Sequence, residues 1–340
     1  MRWLAITLLM CGLATPAYAQ FSIPGSETAL TLSFNPPNPG PRSTIVLTLQ
    51  SPLYDLTQSD ISWTVDGKVV SSGIGLHTLS LTTGALGSAQ NVSVEVTAQN
   101  GIATVNATVS PTSIDILWES DSYTPPFYKG RALPSAGSAV TLVAIPHFMR
   151  QNGSSVPSEN IIYTWRKDGE VIAGASGLGK ASARIVGPLL YGSDLISVEA
   201  ISQDGSLSGE AAVRIGDVEP ALVLYKVHPL FGELFHQPLG ASSFIPEVEM
   251  TFAAVPYFAA VDTPDDPKLN YEWRVNETSV PADAAHPGVL TINSAKSSGN
   301  ALLRLALTHA TNYFMSLNDA WKITFTKNGE PAGFSDPFHP

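Results

Sequence analysis

The chain has 340 residues, of which 18 are basic and 29 acidic, giving a net charge of −11. An acidic surface repels phosphate backbones, so the charge argues against nucleic acid as a partner. Only 14% of the residues are charged while 44% are hydrophobic, and the one cysteine, Cys11, leaves no thiol pair for a disulfide. This composition, with 27 glycines and 26 prolines, is typical of many short strands and turns.

The first nineteen residues have the pattern of a secretory signal peptide. Arg2 supplies the positive start, residues 4–13 form a short apolar core, and Ala17-Tyr18-Ala19 places small residues at the cleavage site. That apolar core is much shorter than the roughly 20 residues that a membrane span needs. We therefore expect an exported protein, periplasmic, cell-surface or extracellular. Its mature chain is expected to begin near Gln20 and to have no transmembrane segment.

A tryptophan recurs three times within an alternating run of apolar and polar residues. Trp63, Trp165 and Trp273 are 102 and 108 residues apart, a spacing equal to the length of one small β-sandwich. Further alternating runs precede each tryptophan, at residues 44–49, 139–144 and 248–253. We expect the three tryptophans to be buried core residues in three tandem sandwiches.

A second pattern, a strand followed by a hairpin turn, recurs after each tryptophan. Residues 92–96 precede Asn100-Gly101, residues 196–200 precede Asp204-Gly205, and residues 321–325 precede Asn328-Gly329. Asn-Gly and Asp-Gly favour tight turns because they tolerate positive φ angles. The intervals from tryptophan to turn glycine are 38, 40 and 56 residues, so this alignment predicts an insertion in the third copy near 281–312. Within it, residues 301–310 fit either a strand or one or two helical turns.

Copies two and three share a further similarity that copy one lacks. Residues 116–118, 123–128 and 145–148 match residues 223–225, 230–235 and 255–258 in the same order. Each of these two copies therefore opens with a long proline-containing segment. The predicted organisation is a signal peptide at 1–19 and sandwiches at 20–111, 112–218 and 219–340, the last with the insertion and a short C-terminal tail.

The pattern Tyr-x-Trp-x-x-Asp-Gly, present as Tyr163-Thr164-Trp165-Arg166-Lys167-Asp168-Gly169, resembles that of bacterial immunoglobulin-like and PKD-like domains. Such domains occur in tandem on secreted and cell-surface proteins, and the resemblance covers residues 27–335. It implies an all-β chain of three tandem immunoglobulin-like antiparallel β-sandwiches. Copy three departs from the pattern, because Val275-Asn276-Glu277 stands where the Asp-Gly turn is expected.

Two segments have partial ligand-binding patterns. Residues 174–180 have the glycine and lysine spacing of a phosphate-binding loop, but Ala181 replaces the hydroxyl residue that binds Mg²⁺, so we expect a plain turn. Asp262, Asp265 and Asp266 lie together in a proline-flanked loop, where they are either solvated acids or oxygen ligands for Ca²⁺. No other cofactor is expected, since the histidines lack helical zinc spacing.

Five aromatic residues in the proline-rich opening segments are candidates for a ligand-binding surface: Tyr123, Phe127, Tyr128, Phe231 and Phe235. If they are exposed, they offer rings that stack on sugars or bind a protein. If they are buried, they pack the junctions between modules. The sequence is compatible with both arrangements.

These features predict a non-enzymatic, secreted or cell-surface protein with a structural or adhesive role. Its tandem sandwiches are expected to mediate protein interaction or spacing at the cell envelope. The alternative is a carbohydrate-binding protein that uses the aromatic segments between modules. The expected partner is accordingly a protein or a glycan at the envelope, and the sequence has no nucleophile elbow that would indicate a hydrolase.

Overall fold

The computed structural model describes residues 30–245, 249–293 and 299–325. Within these ranges the chain forms 24 β-strands and two short 3₁₀ helices, and no α-helix. The strands assemble into six sheets, two in each third of the chain. Neither of the helices described is long or apolar enough to span a membrane.

Seven strands lie in the first third: β1 (Thr31–Asn35), β2 (Thr44–Gln50), β3 (Asp60–Val65), β4 (Lys68–Ile74), β5 (Thr78–Thr82), β6 (Gln90–Ala98) and β7 (Gly101–Val109). One sheet has the strand order β1-β2-β5 and the other β4-β3-β6-β7. Successive side chains of a strand point to opposite faces, so every second residue is buried, as at Ile45, Leu47 and Leu49 on β2.

Packing divides the described chain into two compact units. The first contains the described residues up to Ser33, together with Leu47–Leu79 and Asn91–Ala107. The second contains Phe34–Val46, Ser80–Gln90 and the described residues from Thr108 onward. The candidate site lies entirely within the second unit.

Eight strands lie in the second third: β8 (Ile114–Ser120), β9 (Ala139–Pro146), β10 (Ile161–Lys167), β11 (Glu170–Val171), β12 (Gly177–Leu178), β13 (Ser182–Val186), β14 (Ser193–Ser202) and β15 (Ser208–Gly216). One sheet has the order β13-β9-β8 and the other β11-β10-β14-β15, with β12 also paired to β10. Val140 and Leu142 of the first sheet share a hydrophobic core with Trp165 and Val198 of the second. The two sheets therefore form a sandwich.

Nine strands lie in the last third: β16 (Ala221–His228), β17 (Gly232–Pro238), β18 (Ser242–Ile245), β19 (Glu249–Tyr257), β20 (Leu269–Val275), β21 (Thr278–Val280), β22 (Val289–Asn293), β23 (Gly299–His309) and β24 (Ser316–Phe325). The sheets have the orders β17-β16-β19-β22 and β18-β24-β23-β20-β21. The pairing of β18 with β24 is parallel. Leu224 and Phe252 pack with Trp273 and Leu305 in one core, which makes this third a sandwich as well.

The three repeated tryptophans occupy one structural position, as predicted. Trp63, Trp165 and Trp273 are all 0% exposed. Each indole N–H donates to a backbone carbonyl 13 to 15 residues later: Leu76 at 2.7 Å, Lys180 at 3.0 Å and Pro287 at 3.0 Å. A buried indole needs such an acceptor, because an unpaired N–H in the core costs free energy. The Lys180 carbonyl belongs to the phosphate-loop-like segment, which here comprises the end of a 3₁₀ helix (Ala173–Ala175), β12 and a turn.

A tight turn follows each tryptophan strand. Both turn residues have positive φ: Asp66-Gly67 at 47° and 78°, Asp168-Gly169 at 50° and 89°, and Asn276-Glu277 at 48° and 68°. The side-chain oxygen of the first turn residue also accepts a backbone N–H from a neighbouring strand in every copy, from Asn91, Leu195 and Leu302 respectively. The third copy therefore builds the same turn from Asn and Glu that the others build from Asp and Gly.

The strand alignment that predicted an insertion in copy three is wrong. The strand paired with the tryptophan strand is β6, β14 and β23 in the three copies, with Trp63 opposite Val94, Trp165 opposite Val198 and Trp273 opposite Leu305. These partners are 31, 33 and 32 residues apart, so the pairing leaves no room for extra residues near 281–312. Residues 321–325 belong to β24, the next strand, which alternates in the same way and so looked equivalent.

The opening segments of the second and third sandwiches follow different paths. Residues 121–138 leave β8 and reach the loop after β19, where Tyr123 donates its N–H to the Ala259 carbonyl at 2.8 Å and accepts from Phe258 N–H at 2.7 Å. In the third sandwich, β17 instead turns back and pairs antiparallel with β16. The predicted match between residues 123–128 and 230–235 is therefore wrong in three dimensions.

The predicted fold class is confirmed: the described chain is all-β, with tandem immunoglobulin-like sandwiches. The boundaries 20–111, 112–218 and 219–340 remain predictions. The predicted signal peptide at 1–19 and the turn at Asn328-Gly329 lie outside the described residues.

Candidate binding groove

Tyr123 lies at the junction between the second and third sandwiches. Its side chain is partly buried and packs against the core of the third sandwich. Burial raises the pKa of the Tyr123 hydroxyl, and the negative charge of Glu233 acts in the same direction. Tyr123 therefore contributes to packing at the junction, one of the two roles that the sequence allowed.

Tyr128 belongs to a network of aromatic rings at the same junction. Its ring meets those of Tyr257 and Phe258 edge to face, with centroids 6.0 and 5.7 Å apart and an interplanar angle of 77° in both pairs. The Tyr257 and Tyr225 hydroxyls share a hydrogen bond of 2.7 Å, and burial raises the pKa of Tyr225. The Tyr225 ring in turn packs edge to face on Phe235, at 5.3 Å. Edge-to-face geometry is the preferred arrangement of aromatic pairs, so each ring holds its neighbour in place.

A groove of about 540 Å³ opens beside this network. Its lining comes from the opening segment of the second sandwich and from β17 and β19 of the third: Pro125, Pro126, Phe127, Tyr128, Lys129, Glu233, Phe235, His236 and Tyr257. The volume falls within the range of small-ligand pockets. The groove combines apolar rings with a basic, an acidic and an imidazole side chain.

Phe127 projects from the wall of this groove. Its side chain is 91% exposed and its backbone has a φ of 68°. A tight turn holds it there, because Tyr128 N–H donates to the Pro125 carbonyl at 3.2 Å. A bulky residue in the left-handed region is strained, and strain of this kind tends to occur at ligand-binding sites.

The structure divides the five predicted aromatic residues into two groups. Phe127, Tyr128 and Phe235 line the groove. Tyr123 packs at the junction, and Phe231 lies outside the groove lining, 76% exposed, with its ring stacked on His228 at 4.7 Å.

Tyr257, Lys129, Glu233 and His236 line the groove but were not predicted as site residues. Tyr257 belongs to the repeated landmark at 255–258, but its counterpart in the second copy is His147, so the repeat does not single out this ring. Lys129 and His236 directly follow predicted aromatic residues in the sequence, at 128 and 235.

The three aspartates predicted as Ca²⁺ ligands do not converge. Asp262 lines a separate cleft of about 440 Å³, Asp265 pairs with His286 at 3.1 Å, and Asp266 accepts the Lys268 backbone N–H at 2.8 Å. Across residues 30–245, 249–293 and 299–325, no group of three or more His, Cys, Asp or Glu side chains is placed to hold a metal ion.

No family model matches the chain, and no curated protein matches it significantly. Among solved structures, the central fibronectin-III array of RIM-binding protein matches at 12% identity over 88% of this chain and 97% of that chain, with a TM-score of 0.30. The fibronectin(III)-like modules of Clostridium thermocellum CbhA match at 15% identity over 55% and 94%, with a TM-score of 0.26. Three N-terminal domains of the outer capsid protein Hoc of bacteriophage RB49 match at 13% identity over 88% and 98%, with a TM-score of 0.24.

At these identities and TM-scores the likenesses carry no argument about activity or ligand. The fold of this chain rests on the sheets and cores described above. A fold of this kind does not by itself determine a function.

Proposed function

We propose that the chain is a non-enzymatic, exported protein whose tandem sandwiches space and present binding surfaces for other proteins at the cell envelope. The observation that carries this proposal is the junction between the second and third sandwiches. A flexible linker lets modules move independently, whereas this one is fixed by the two backbone hydrogen bonds of Tyr123 and by its packed side chain.

A second contact supports the same junction. The turn between β23 and β24 reaches the second sandwich, where the Asn312 side-chain amide donates to the Ala136 carbonyl at 2.6 Å. The backbone at Gly137 is so close to Asn312 that a Cβ there would lie 3.0 Å from Nδ2. Two separate contacts oppose a hinge motion better than one, which suits a protein that holds binding surfaces at a set separation.

Export and an envelope location are supported by the signal-like pattern at residues 1–19 and by the resemblance to bacterial immunoglobulin-like and PKD-like domains. The net charge of −11 is far enough from zero to favour solubility of an exported chain. A bacterial origin belongs to the same proposal.

The test is fractionation of the native host followed by crosslinking. We expect the mature chain, processed near Gln20, in the envelope fraction, together with one recurrent crosslinked protein. Loosening the junction with Tyr123→Ala is expected to lower recovery of that partner, while Leu53→Ala, at a side chain 62% exposed between β2 and β3, leaves it unchanged. An unprocessed cytoplasmic chain, or an envelope chain with no recurrent neighbour, contradicts the proposal.

A further inference from the structure

We propose that the groove beside Tyr128 is a binding site for a neutral saccharide. This inference goes beyond the spacing function, because a module array can hold partners apart whether or not it also binds a glycan. It rests on three features of the groove: an ordered set of rings, a strained and exposed phenylalanine, and a rim that carries both signs of charge.

The rings are positioned before any ligand arrives. Tyr128 is fixed by its contacts with Tyr257 and Phe258, and Tyr257 is fixed in turn by its hydroxyl hydrogen bond to Tyr225. Rigid side chains lose little conformational entropy on binding, so a prearranged ring surface suits a ligand that makes only a few weak contacts. The C–H face of a pyranose ring is such a ligand, because it is flat and apolar enough to lie on an aromatic ring.

Phe127 is the clearest sign that the groove has an occupant. Two unfavourable features meet at this residue, an apolar ring that is 91% exposed and a φ of 68°. Neither is needed to form the turn, since a glycine at that position would adopt the same φ without strain. A ligand lying against the ring would offset the exposure, which explains a phenylalanine at this position.

The rim distinguishes a neutral saccharide from other small ligands. Lys129, Glu233 and His236 line the same groove, so it offers hydrogen-bond donors and an acceptor of opposite charge. An anionic ligand would meet Glu233 and a cationic one would meet Lys129, while a purely apolar ligand would bury these groups without partners. A polyhydroxyl ligand can donate to Glu233, accept from Lys129 and stack on the rings.

The test is a glycan array probed with the full mature chain, carrying neutral gluco-, manno-, xylo- and chito-oligosaccharides beside acidic ones. We expect hits among the neutral glycans, and the strongest is then titrated by calorimetry. Phe127→Gly and Tyr128→Ala are each expected to weaken that binding about tenfold, the loss from one aromatic contact. The matched control is Phe231→Ala, which removes an exposed aromatic that is not part of the groove lining and should leave the affinity unchanged.

Stability measurements on the same variants separate binding from folding. Phe127→Gly relieves backbone strain, so its thermal midpoint is expected to stay equal or rise while saccharide binding falls. A blank array for the wild-type chain overturns the proposal, as does preferential binding of acidic glycans. So does a hit that survives both groove variants or is weakened equally by Phe231→Ala. Because the spacing function is tested by envelope recovery and crosslinking, either proposal can fail without the other.

Discussion

The second and third sandwiches share their core and differ at one edge. In the second sandwich the buried tryptophan lies on β10, which pairs with β14, and in the third it lies on β20, which pairs with β23. In both, the indole N–H donates to a backbone carbonyl in the segment that follows. In the third sandwich β17 covers the edge of β16, whereas in the second the corresponding residues after β8 cross to the neighbouring module.

This difference shows how two similar modules use their opening segments in different ways. In the third sandwich the chain adds a strand, so β17 becomes the edge of the sheet β17-β16-β19-β22. In the second sandwich β8 is itself the edge of the sheet β13-β9-β8. The opening segment of the second is used instead to join two modules, and this join also creates the groove.

The alignment between β8 and β16 is itself shifted by one residue from the sequence match. Ile114 lies opposite Pro146 and Leu222 lies opposite Pro256, so residue 116 corresponds to residue 224. The match of residues 116–118 with 223–225 is therefore wrong by one position. A shift of one exchanges the two faces of a strand, which is why register must come from the pairing.

The largest effect is expected from breaking the crossing segment. Tyr123→Ala removes a partly buried ring from the core of the third sandwich, and we expect a loss of about 2 kcal/mol in the free energy of unfolding of that junction. Hydrogen exchange resolved along the chain measures it, with protection falling in residues 121–138 and in the loop after β19. Protection lost only within the second sandwich would contradict the crossing path. Leu53→Ala, at an exposed side chain between β2 and β3, serves as the control.

The hairpins at equivalent positions in the two sandwiches are built from different titratable groups. Between β14 and β15, Asp204 accepts hydrogen bonds from Ser202, Ser206 and Arg150, and those from the two serines hold its pKa well below the usual range. Between β23 and β24, the buried His309 accepts the backbone N–H groups of Thr311 and Asn312 on Nδ1, at 3.2 and 2.9 Å. This turn needs the neutral imidazole, since a protonated Nδ1 cannot accept.

Acid is therefore expected to loosen the third sandwich before the second. Burial lowers the pKa of His309, Lys268 acts in the same direction, and Asp266 opposes them. In the unfolded chain the same histidine has its ordinary pKa of about 6.5, so it takes up a proton at a higher pH than the folded chain does. The free energy of unfolding therefore decreases as the pH falls through that value. The pKa of Asp204 is also depressed in the folded chain, but the ordinary aspartate pKa is about 3.9. The stability that Asp204 contributes is therefore lost only when the pH falls below about that value.

Thermal melting from pH 7.5 to 5.5 measures how the free energy of unfolding changes with pH. One proton contributes a slope of at most about 1.4 kcal/mol per pH unit. We expect the slope to flatten in His309→Gln and to persist in His77→Gln, where the histidine is exposed. An equal slope in wild type and His309→Gln would falsify the assignment. The Asn312 contact to Ala136 is expected to weaken together with this turn.

The smallest effect is expected from exchanging the turn residues after the tryptophan strands. Glu277 has a φ of 68°, where glycine carries no strain, and its ion pair with Arg304 is between two exposed side chains. Glu277→Gly is therefore expected to stabilise the third sandwich by about 0.5 kcal/mol. The reciprocal Gly169→Glu is expected to destabilise the second by about 1 kcal/mol. Scanning calorimetry distinguishes the two, and changes of the same sign would refute the strain argument.

Three of the nine residues that line the groove were named from the sequence: Phe127, Tyr128 and Phe235. They were named because they are aromatic residues in proline-rich segments between modules, although the sequence was also compatible with their burial at the junctions. Phe231 was predicted with them but lies outside the lining, since the turn that leads into β17 directs it towards His228. Tyr257 could not be predicted, because it reaches the groove only when residues 121–138 cross to β19.

The sequence by itself determined the all-β class, the buried tryptophans and the Asp-Gly turns that follow two of them. Each of these depends on local rules: period-two alternation, the volume and N–H of an indole, and the residues that tolerate positive φ. Only the tertiary structure decided which alternating segment is β23 and which is β24, and where residues 121–138 go. Alternation is satisfied against any neighbouring strand, so the choice of partner depends on contacts between residues far apart in the chain.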